Sequence, residues 1–204
     1  MATVLTPAPD AQPAVTEQGP RRKLWTRAEY QRLEESGLPG VERLELVEGE
    51  LIDKMGQNQP HALSVTCIVA WLNQVFGWRF VMFASPIDVS PEDNPTSEPE
   101  PDAMVLKRDL SQFPTDNPRP DDLHLVVEVS DSSLGWDLST KAGLYARAGV
   151  VEYWVLDVVA RRLIVHRDPS EGIYKTILVR GQNDPIAPLA APQAEFRPAD
   201  AFIA

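Results

Sequence analysis

The sequence predicts an α/β fold in which a central β-sheet carries helices packed against it. Three observations lead there. Apolar periodicity changes along the chain in the order helix, hairpin, helix, several strands, helix, strands, with no internal repeat. The 204 residues are 43% hydrophobic and 24% charged, which suits one ordinary core without a disulfide or metal staple. The run "LHLVVEVSD", residues 123–131, is apolar enough for a buried strand, yet it contains Glu128.

Residues 1–20 are rich in Pro, Ala and Thr without apolar periodicity, so a disordered leader is expected there and a single domain over 21–204. In "LWTRAEYQRLEES" Thr26 is a helix N-cap with Glu29 three residues on, the reciprocal capping pattern, and Gly37, Pro39 and Gly40 stop the helix. "ERLELVEGELIDKM" alternates on either side of Glu48-Gly49 and reads as a β-hairpin, with Glu48 and Glu50 as solvated turn residues. In "QPHALSVTCIVAWLNQVF" His61, Val65, Ile68, Leu72 and Val75 form one helical stripe.

"RFVMFASPIDVSP" and "PDAMVLK" are strand-like, and "EDNPTSEPE" and "LSQFPTDNPRPDD" are proline-bearing loops. After the strand at 123–131, a helix is expected over 138–148, with Asp137 as N-cap and Gly149 as its stop. "EYWVLDVVARRLIVHRD" gives two strands joined at Ala160-Arg161, and "YKTILVR" gives a third; Tyr153 and Trp154 are assigned to packing. The tail from 182 to 204, with four prolines, is expected to pack irregularly or hang loose.

The single cysteine, Cys67, excludes a disulfide framework and reads as core filler. With no signal-peptide pattern and no apolar run long enough to span a bilayer, a cytosolic protein and no membrane partner are expected. The net charge of −11 and pI near 4.7 oppose long-range attraction to nucleic acid. The short basic pairs at Arg21-Arg22-Lys23, Lys107-Arg108 and Arg161-Arg162 are either phosphate contacts or solvated charges.

Strand alternation puts His124, Val126, Glu128 and Ser130 on one face and Leu123, Leu125, Val127 and Val129 on the other, which is expected to be the core face. Asp102 opens the neighbouring strand candidate, so pairing of the two strands lets Asp102 and Glu128 converge. Two close carboxylates repel, and a divalent cation such as Mg²⁺ relieves that with hard oxygen ligands. Lys141 shares a helical stripe with Leu138, Tyr145 and Ala148, so it is expected to point inward at Glu128. A structural ion pair is the competing reading. Glu45, between apolar neighbours, is either a third acid of the site or the solvent side of an edge strand; His61 is either a satisfied buried histidine or a site residue.

The segments "LELVEGEL", His61, "EPDAMVL", "LVVEVSDSS" and "DLSTKAGLYARAGVVEYWVLD" together resemble the Uma-type restriction endonuclease family, a branch of the PD-(D/E)XK nuclease superfamily, over about residues 25–175. The resemblance implies a restriction-endonuclease-like core: a mixed β-sheet flanked by helices, with an N-terminal helix and hairpin. It also implies a Mg²⁺-dependent site (Mn²⁺ as substitute) that hydrolyses DNA. Pro101-Asp102 is then the "PD" element and Glu128-Val129-Ser130 the "(D/E)XK" element, with Ser130 standing where the pattern has Lys. Lys141 matches a lysine supplied instead from the following helix, and Glu45 and His61 rise to site residues. Asp102, Glu128 and the Val129 carbonyl would hold the metal.

The alternative is a catalytically inactive nuclease-like binding or assembly module, whose acids and lysine form a structural network. A metal-free hydrolase leaves Lys141 unused. A homodimer is expected by analogy with enzymes that cut two strands using two sites.

Overall fold

The computed structural model describes residues 21–54 and 58–202. The leader expected at residues 1–20 lies outside them. Helix α1 (Arg27–Glu35) starts at the Thr26 cap, where Glu29 N–H donates to the Thr26 hydroxyl and Thr26 N–H to the Glu29 carboxylate. Strands β1 (Leu44–Val47) and β2 (Glu50–Asp53) form the hairpin, with Glu48 at φ 51° and Gly49 at φ 80° in the turn. Helix α2 (Gln59–Phe76) buries Ser64, Ile68 and Leu72, while the ends of the predicted stripe are only half-buried. Cys67 lies half-buried against the same cluster of apolar side chains.

Six strands form one mixed sheet in the order β3-β4-β5-β6-β7-β8. They are β3 (Val81–Phe83), β4 (Ala103–Leu106), β5 (Leu123–Ser130), β6 (Glu152–Asp157), β7 (Arg162–Ser170) and β8 (Ile173–Gly181). All neighbours run antiparallel except β5 and β6. A parallel pair needs a crossover, and the segment between them supplies it: α3 (Leu134–Trp136), a π-helical turn (Asp137–Lys141) and α4 (Ala142–Ala148), closed by Gly149 at φ 84°.

Several expectations are corrected. The strand expected over 79–91 ends at Phe83, because Ala84 takes φ 43°; Ile87 and Val89 stay buried in irregular backbone. The crossover helix starts before Asp137, which sits inside it, buried, instead of capping it. Nor is there one core face. Val126, Met104, Tyr145 and Tyr153 pack on one side of the sheet; Leu125, Val127, Val129 and Trp154 pack on the other, against Ile68 and Leu72. The crossover covers the first side, so Glu128 lies under it and not at a solvent face. Leu123 joins the first side because the β4–β5 register shifts between Val105 and Leu106. The tail is irregular but packed, with Ile186, Phe196 and Phe202 in the second cluster.

Candidate active site

A cavity of about 710 Å³ opens where the hairpin, the start of α2, the end of β5 and the crossover meet. Glu45, His61, Asp102, Glu128, Val129 and Lys141 all line it. Glu45 is buried, not on the solvent side of an edge strand, because residues 98–100 run beside β1. Glu98 N–H donates to the Leu46 carbonyl at 2.7 Å, and Glu100 N–H donates to Glu45 Oε2 at 3.1 Å.

Lys141 and Glu128 are each 4% exposed. Lys141 Nζ lies 2.9 Å from Glu128 Oε1 and 3.0 Å from Glu45 Oε1, and the Tyr145 hydroxyl donates to Glu128 Oε1 at 3.0 Å. Burial would lower the Lys141 ammonium, but the carboxylates of Glu128, Glu45 and Asp137 outweigh it and hold the lysine charged, above its ordinary range. Glu128 is pushed well up by burial; Lys141 opposes this, while Asp137, Asp102 and Glu45 reinforce it. One ammonium among four carboxylates leaves the site short of positive charge.

Asp102 precedes β4, and its Oδ2 accepts from Val129 N–H at 2.7 Å, which ties the carboxylate to β5 beside Glu128. His61 Nε2 lies 3.5 Å from the same oxygen, and burial opposed by the Asp102 carboxylate leaves the imidazole above its ordinary pKa. His61 Nδ1 is buried and finds no hydrogen-bond partner among the described residues.

The Uma2 family, described as "Putative restriction endonuclease", matches residues 27–199. The chain belongs to that family. No curated protein matches it. Among solved structures, the Uma2 chain is similar to a "putative nuclease belonging to DUF820 from Anabaena variabilis ATCC 29413". The likeness covers 87% of this chain and 97% of that one at 17% identity, with a TM-score of 0.62. At that identity the likeness speaks for the fold.

The donor set suits a hard cation. Among the described residues Asp102 Oδ1 and Glu128 Oε2 accept no hydrogen bond, while their sister oxygens are taken. Among them, too, no group of three His, Cys, Asp or Glu side chains forms a ready cage for an ion. Mg²⁺ commonly uses one or two carboxylates and keeps its waters, so two open carboxylate oxygens fit it better than they fit zinc. Eight acidic residues and three Lys or Arg line the cavity, so its potential favours cations.

Two features of this Uma2 site were missed in the sequence. Tyr145, placed only on a stripe, bonds Glu128, and Tyr153, assigned to packing, also donates to the Asp137 carbonyl at 3.1 Å. A hydroxyl's partner depends on which elements meet, and no spacing rule along the chain reports that.

Proposed function

We propose that this Uma2 protein is a Mg²⁺-dependent endonuclease that hydrolyses DNA phosphodiester bonds, acting as one nuclease-like domain in the cytosol. The observation that carries the reading is Lys141 held between Glu128 and Glu45 in the cavity that Asp102 also lines. The family and the shared fold support it. Asp102, Glu128 and the Val129 carbonyl would hold one Mg²⁺, with Mn²⁺ as substitute. When bound, such a cation stabilises charge on the phosphate and acidifies a water.

The chain's own residues do the rest. Lys141, fixed by two carboxylates, presents an ammonium that orients the attacking water and offsets charge growing on the phosphate. Glu45 holds that lysine in place, and His61 restrains the Asp102 carboxylate. Two copies, each with one site, would cut both strands of a duplex.

Thermal melts with and without millimolar Mg²⁺ or Mn²⁺ test the cation site, and Asp102→Ala should abolish the rise in Tm. Cleavage of plasmid, linear and single-stranded DNA by wild type, Glu128→Ala and Lys141→Ala tests the chemistry. If wild type cuts nothing, or the variants cut as well, the reading fails and the inactive binding module takes its place.

A further inference from the structure

Ser130 occupies the motif position where the superfamily pattern has Lys, and it is fully buried. Its hydroxyl does not face the cavity unengaged. It donates to Asp137 Oδ2 at 2.5 Å, and Ser133 Oγ donates to the same oxygen at 2.6 Å. Asp137 opens the π-helical turn that ends at Lys141, and both residues are buried. The Asp137 carbonyl accepts from Ala142 N–H, five residues on, and from the Tyr153 hydroxyl.

β5 and the crossover are therefore stitched together at two strand positions, Glu128 and Ser130, with Tyr145 from α4 also bonding Glu128. Glu128 on the strand takes Lys141 from the turn, and two residues later Ser130 gives its hydroxyl to Asp137, four residues before Lys141. One contact would leave the turn free to roll about its axis. Two contacts fix its rotation, and with it the direction of the lysine. π-Helical turns concentrate at functional sites, since they sacrifice regular hydrogen bonding to aim a side chain.

We propose that Ser130 and Asp137 are positioning residues: they form a latch that locks the π-turn onto β5 and so aims Lys141 into the site from the helix. The serine at the motif's lysine position is then no vacancy in the motif; it anchors the replacement. The value of that aim for catalysis rests on the nuclease reading, but the latch itself does not.

The test separates the two. Reductive methylation with formaldehyde and borohydride, read peptide by peptide by mass spectrometry, reports how accessible each of the five lysines is. In Ser130→Ala and Asp137→Ala, Lys141 should be labelled about tenfold faster than in wild type, with the other four lysines unchanged. Asp137→Asn keeps an oxygen acceptor for both hydroxyls and should stay near the wild-type rate. Ser133→Ala, at an exposed position, removes one donor and should give an intermediate rate. If Ser133→Ala and every folded alanine variant label Lys141 at the wild-type rate, the latch is wrong.

Where DNA cleavage is measurable, Ser130→Ala and Asp137→Ala should each lower kcat about tenfold with KM unchanged, while Asp137→Asn should keep most of the wild-type kcat. Wild type that cuts nothing, with Lys141 protection lost in the alanine variants, sinks the nuclease reading and leaves the latch standing.

Discussion

Glu128 was legible as a single residue because a carboxylate inside an apolar strand has few places to go. Its strand-mates pointed it toward Asp102, and the helical stripe turned Lys141 toward it. Pattern did not say how deep it lies, since that depends on the crossover folding over the same face. Depth has a measurable consequence. Burial raises the Glu128 carboxyl, so the folded protein binds a proton there that the unfolded chain has already released. The stability that this group contributes is complete below the ordinary carboxylate range and is lost as pH rises through the raised value. A cation competes with that proton for the same oxygens. The rise in Tm caused by Mn²⁺ should therefore grow as pH rises from just above the ordinary carboxylate range through the raised value of Glu128, and Glu128→Gln should flatten the trend. A rise of equal size at both ends of that interval in wild type would place the cation elsewhere.

Elements with strong local signals came through: the Thr26–Glu29 cap, the Glu48-Gly49 turn and the Gly149 stop. Elements whose form is set by a distant partner did not. The π-turn needs Ser130 and Tyr153 to hold Asp137, and β3 ends where Ala84 N–H turns to the Asp102 carbonyl at 3.2 Å. The hairpin is the element that delivers Glu45, and its turn offers a test. A Cβ on Gly49 would sit 2.9 Å from Leu24 Cβ, and φ there is +80°, so Ala is strained twice over. Gly49 N–H also donates to the Thr96 carbonyl at 2.7 Å and its carbonyl accepts from Trp25 N–H at 2.8 Å, which leaves the turn little room to shift. Gly49→Ala should cost about 1–3 kcal/mol and lower Tm by several degrees in a chain of this size. An unchanged Tm would mean that the hairpin is not held as described.

For the whole molecule, the net charge of −11 was plain from composition, but its distribution was not. The short basic runs do not build a phosphate-binding face. Arg22 pairs with Glu50, Lys23 with Glu29, Arg108 with Asp122 and Arg162 with Asp157, while Arg161 bonds Gln182 and the Phe202 carbonyl. Of those runs only Arg21 and Lys107 lack a side-chain partner among the described residues, and the candidate site is lined mostly by acids. Under the proposed function, attraction to DNA would then be local and depend on the cation proposed for the site. Each phosphate neutralised by Lys or Arg steepens the dependence of log K on log salt by about 0.9. Two or three such contacts predict a slope of about −2 to −3, measured by fluorescence anisotropy on a phosphorothioate duplex at fixed Mg²⁺. Removing the Mg²⁺ should abolish most of the binding. A slope steeper than about −4, or binding that survives chelation, would show an extended basic face that no described surface explains, and would break the link between cation and DNA.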